Sequence, residues 1–112
     1  KYGVKVAFGT DILFDAARAA RQGAQLETMT RWYTPAEVLK MATADNAELL
    51  ALSDRRNPYP GKLGVVEVGA LADLLLVDGD PIAQIDLFAD PAKNLLVIMK
   101  DGRIEKNIVA EN

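Results

Sequence analysis

Gly9-Thr10-Asp11 closes an apolar run from Val4 to Phe8, and Asp11 is the residue of this chain best placed to do chemistry. A short, mostly apolar run suits a strand buried on both faces. Glycine lets the backbone turn there, and a carboxylate just past the C-terminal end of a buried strand sits where barrel enzymes put catalytic groups. Aspartate also has a plainer job, capping the next segment. The tripeptide alone favours that job, because short motifs have high false-positive rates. The chain offers little else. It has no histidine and no cysteine, which removes the usual general base, the commonest metal ligand, thiolate metal sites, disulfides and a cysteine nucleophile. A hydrolase confined to these residues would run on carboxylates and lysine alone.

The other suggestive spacings have structural readings. Thr34 followed by Pro35 and Glu37 is a capping box with proline at the first helical position, which explains all three residues. Trp32 and Tyr33 stand just before that helix, where an aromatic pair is more often a packing staple than a pocket wall. Gly61-Lys62-Leu63-Gly64 lacks the first glycine and the closing serine or threonine of a phosphate loop. Asp78-Gly79-Asp80 lacks the calcium-loop spacing and its glutamate, and reads as a turn.

The elements that must position Asp11 can be read from patterning. Ala16 to Trp32 is helix-prone but interrupted by Gly23, which predicts two short helices. From Thr34 a helix runs on with an apolar stripe, Val38, Met41 and Ala42, then Leu49, Leu50 and Leu52. Asp45-Asn46 marks a break or recap within it. Asn57-Pro58-Tyr59-Pro60-Gly61 is a loop where a helical half gives way to a strand-rich half. Asp73 to Asp78 reads as a buried strand, Ile82 to Phe88 as a short helix, and Leu95 to Lys100 with Arg103 to Val109 as a hairpin about Asp101-Gly102. So few strands cannot close a sheet, and their open edges call for a covering partner.

Composition sets outer limits. The chain has 112 residues, 50% hydrophobic and 26% charged, with net charge −3. That is globular composition of one-domain length, with no basic face for nucleic acid. No apolar run approaches the ~18 residues of a membrane span. A soluble chain, cytoplasmic or periplasmic, is expected. It opens at Lys1, without methionine, and soon enters an apolar strand, which reads as an excised piece.

Taken in order, the segments resemble the end of the amidohydrolase superfamily, in the branch of imidazolonepropionase-like and Xaa-Pro dipeptidase-like enzymes. The resemblance lies in Val6-Ala7-Phe8-Gly9-Thr10-Asp11, Thr34-Pro35-Ala36-Glu37-Val38-Leu39, and Ala42-Thr43 through Ala47-Glu48-Leu49-Leu50. It continues in Gly64-Val65-Val66-Glu67-Val68-Gly69, Ala72-Asp73-Leu74-Leu75-Leu76-Val77, Gly79-Asp80-Pro81 and Lys100-Asp101-Gly102-Arg103-Ile104. Trp32, Asp45, Ala51 and Ala70 depart from the common pattern at structural positions, blurring the branch and leaving Asp11 untouched.

The resemblance implies an α/β fold cut from a larger molecule. Residues 1–56 would be the end of a (β/α)8 TIM barrel, its eighth strand and closing helices. Residues 57–112 would be the C-terminal share of a β-sandwich built from both termini. It also implies a metal-dependent hydrolase of amide bonds in a dipeptide, an N-acyl amino acid or a cyclic amide, with one or two divalent ions, zinc foremost. In that role Asp11 is both metal ligand and catalytic proton shuttle. The remaining ligands, histidines among them, would lie elsewhere in the parent, so this chain alone is expected to be inactive. Its expected partners are the remainder of its own polypeptide and a small-molecule or dipeptide substrate; a homo-oligomer is compatible with the pattern. The alternative is a non-enzymatic β-sandwich interaction module descended from the same family.

Overall fold

In the computed structural model, residues 2–109 are described. Helices fill the first half: α1 (Ala16–Ala19), α2 (Ala24–Met29), α3 (Pro35–Lys40), a π-helical turn at Met41–Asp45, and α4 (Asn46–Ala51). A 3-10 turn, Asp54–Arg56, leads out of them. The second half holds β1 (Leu74–Val77), a 3-10 segment at Ile85–Ala89, α5 (Pro91–Asn94), β2 (Leu95–Lys100) and β3 (Arg103–Asn107).

Local signals explain most of these boundaries. The Asp15 carboxylate caps α1 by accepting the Arg18 N–H at 2.9 Å. Gly23 separates α1 from α2, as expected. The Thr34–Glu37 box opens α3: Thr34 N–H donates to Glu37 Oε2 at 2.8 Å, and Glu37 N–H donates to Thr34 Oγ1 at 3.3 Å. The strands form one antiparallel sheet in the order β1-β2-β3, with Leu75 opposite Ile98 and Ile98 opposite Lys106. Asp101 and Gly102 both have positive φ, 48° and 76°, as a primed hairpin turn requires. Asp73 braces that turn, its carboxylate accepting the Asp101 N–H at 2.8 Å and the Lys100 ammonium at 2.7 Å.

The core is small and spans both halves. Val38, Met41 and Ile85 form one buried cluster, with Phe8, Leu26, Met29, Tyr33, Leu39 and Phe88 packed against it. Tyr33 thus serves as the staple expected of the aromatic pair, whereas Trp32 is 70% exposed.

Four expectations are corrected. Val4 to Phe8 is not a strand, because a strand exists only when a neighbour pairs with it and no described segment does so here. The apolar stripe does not continue across the helical half: the π turn shifts the helical phase and carries Leu49 and Leu52 off the Val38 face, and Leu50 is exposed as well. The strand at Leu74–Val77 forms but is not buried on both faces, with Leu75 and Leu76 each about half exposed. The helix expected over Ile82 to Phe88 is a turn followed by the 3-10 segment.

Candidate functional site

Asp11 lies on the irregular segment between Phe8 and α1, exposed, with φ of +50°. The left-handed region costs an L-residue energy, and aspartate is one of the few side chains that enter it with any frequency. No side-chain hydrogen bond or ion pair among the described residues engages its carboxylate. The capping role that the tripeptide alone favours falls instead to Asp15, four positions on. Asp11 therefore has no structural employment among the described residues.

The backbone leading to Asp11 is anchored at one place. Asn46, the first residue of α4, reaches Phe8 with both ends of its side-chain amide. Phe8 N–H donates to Asn46 Oδ1 at 2.8 Å, and Asn46 Nδ2 donates to Phe8 C=O at 2.9 Å. The Phe8 ring packs on the buried cluster. Two residues further along α4, Glu48 pairs with Lys5, and this carboxylate raises the lysine pKa by hydrogen bond and charge. Sequence reasoning missed Asn46 as more than a break. Its one visible signal is an asparagine, a poor helix former, placed inside a helix-forming run.

A cleft of about 410 Å³ lies between the Val4–Val6 segment and α3, walled by Tyr33, Glu37, Lys40 and Glu48. Its charges are engaged locally, Lys5 with Glu48 and Lys40 with Asp45, and Asp11 lies outside it.

The residues present do not make a metal centre. The chain lacks histidine and cysteine, and among the described residues no three carboxylates cluster to hold an ion. Asp11 supplies one ligand position at most, so the described residues alone do not hold an ion. Among the described residues no helix is long and apolar enough to cross a membrane.

Fold and site together define a helical segment with a three-stranded antiparallel sheet, presenting an unengaged carboxylate at Asp11. The chain belongs to the amidohydrolase family, whose model matches residues 1–105. Among solved structures it is similar to an amidohydrolase at 34% identity and TM-score 0.80, over 96% of this chain and 24% of that one. It is also similar to a prolidase complexed with N-methylphosphonate-L-proline, at 31% identity and TM-score 0.77, over 94% of this chain and 24% of that one. The chain thus spans about a quarter of the length of the structures it matches. No curated protein matches it.

Proposed function

We propose that this chain is the C-terminal part of a metal-dependent hydrolase of amide bonds, and that Asp11 is the carboxylate it contributes to the active site. The observation that carries this reading is Asp11 itself: a carboxylate in a left-handed turn with no capping or pairing role among the described residues, in a chain of the amidohydrolase family. On this reading residues 1–56 close a TIM barrel and residues 57–112 belong to a sandwich domain completed by another part of the polypeptide. A zinc-like ion, or two, would activate water, its other ligands lying outside these residues. Asp11 would be one ligand, and its carboxylate would hold and return the proton. The prolidase relative, with its proline-containing ligand, favours Xaa-Pro dipeptides within the wider class of dipeptides, N-acyl amino acids and cyclic amides.

Asp11→Asn in the intact protein tests this. Asparagine keeps the shape but cannot accept the proton, so turnover of an L-Xaa-L-Pro panel with added zinc should fall by about 10²- to 10⁴-fold. The circular dichroism spectrum and melting temperature should change little. Near-normal turnover in the variant would overturn the assignment. The 112-residue chain by itself should show no turnover above an Asp11→Ala control.

A further inference from the structure

We infer that Asn46 is a positioning residue for Asp11, acting through a two-point clamp on the Phe8 backbone. The inference rests on the hydrolase reading above and adds to it a residue that acts through the backbone leading to Asp11.

Asn46 and Phe8 are 38 positions apart, and the two bonds between them, 2.8 and 2.9 Å, satisfy both backbone polar groups of Phe8. A neighbouring strand does the same for a paired residue; here one side-chain amide takes that part. Only one orientation of the amide serves, with Oδ1 toward the N–H and Nδ2 toward the carbonyl. The Phe8 ring, seated on the Val38–Met41–Ile85 cluster, adds a third point of attachment.

Between Phe8 and Asp15, where α1 is capped, no residue is held by a backbone or side-chain hydrogen bond to another described residue. Asp11 lies in this span, three residues past the clamp. A Cβ built at Gly9 would meet nothing within 4 Å, so close packing does not fix the first residue of the span either. Among the described residues the Asp11 carboxylate therefore has two anchors, and Asn46–Phe8 is the nearer.

The π turn fits this role. Met41–Asp45 immediately precedes Asn46, and a π turn holds one residue more than an α-turn. That rotates the succeeding residues by about 100° relative to an uninterrupted helix. The change of phase that leaves Leu49 and Leu52 exposed also sets where position 46 points. Such turns occur frequently at functional sites, and the clamp gives this one a task.

The test is a double-mutant cycle in the intact protein, read with the L-Xaa-L-Pro panel and added zinc. Asn46→Ala should lower kcat by on the order of 10²-fold, as expected for a displaced catalytic group, with little change in KM. In an Asp11→Asn background the same substitution should cost nothing further, because Asn46 acts only through that carboxylate. Equal losses in both backgrounds, or an unchanged kcat, would overturn the inference while leaving the hydrolase reading intact. A silent Asp11→Asn would instead overturn that reading, and the role of Asn46 in turnover with it.

Hydrogen exchange supplies a readout that needs no substrate. Asn46→Ala should lower protection at Phe8 by about fivefold, the loss of a single well-made bond, and leave Val38 as protected as before. Unchanged protection at Phe8 would sink the clamp whatever the kinetics show. Should Asn46→Ala fail to fold, Asn46→Asp keeps the acceptor for the Phe8 N–H and removes the donor to its carbonyl. With a carboxylate oxygen set against the Phe8 carbonyl, kcat should fall, and an unchanged kcat would overturn the inference.

Discussion

Thr34 and Glu37 hold each other from both sides, and the arrangement has a pH signature. Glu37 has its pKa held below the ordinary glutamate range, first by the Thr34 backbone N–H and then by its hydroxyl. A depressed folded pKa contributes stability that is present above the unfolded value and lost as pH falls through the folded one. Thr34→Ala keeps the backbone N–H and removes the hydroxyl. It should cost the intact protein about 1 kcal/mol at neutral pH as a lost cap, and the acid-side fall in stability should shrink without disappearing. Thermal melts from neutral to acidic pH check both. This box was readable from four consecutive residues because every partner is local. Asn46 was not: its partner is 38 positions away, and only the folded chain brings the two together. Asp11 stood out for its place after an apolar run, and the structure adds that no described residue engages it.

The hairpin was legible for the same reason as the cap. Asp101-Gly102 needs two positive φ angles in succession, few dipeptides accept that, and the turn formed where the dipeptide stands. A Cβ at Gly102 would meet nothing within 4 Å, so the burden of a side chain there is conformational alone. Gly102→Ala should destabilise the sheet by about 1 kcal/mol, seen as a lower denaturation midpoint with an unchanged slope. Asp73 escaped notice as a brace, although it joins two segments that carry the family resemblance, Ala72 to Val77 and Lys100 to Ile104. Its own pKa is lowered and that of Lys100 raised by their contact. The Asp73 contribution is thus lost as pH falls below the ordinary aspartate range, and the Lys100 contribution as pH rises above the ordinary lysine range. The segment from Val4 to Phe8 shows the other side. Its apolar residues announce a strand, but pairing is not local, and no described segment of this chain pairs with it.

At the scale of the molecule, four buried hydrophobic residues among those described, Val38, Met41, Ile85 and Leu95, stand against a much larger exposed set that includes Leu74, Leu75, Leu76, Val66 and Val68. The sheet has β1 and β3 at its edges, each with a row of backbone groups that no described strand pairs. Apolar surface on that scale usually finds a partner. The 112-residue chain alone should therefore self-associate or bind an apolar-sensitive dye. Light scattering from a compact, cooperatively unfolding monomer at high concentration would contradict this and would favour a self-sufficient module. What the two halves already share is fixed at Gly23. Its φ of −61° is ordinary helix, open on conformational grounds to any residue. Yet a Cβ there would lie 1.9 Å from the Phe88 carbonyl oxygen, part of a backbone that cannot swing aside as a side chain would. Mutational tolerance at position 23 is thus dictated by a residue in the other half of the chain. A helix-favouring alanine, the substitution that local propensity would recommend first, would force the two backbones apart.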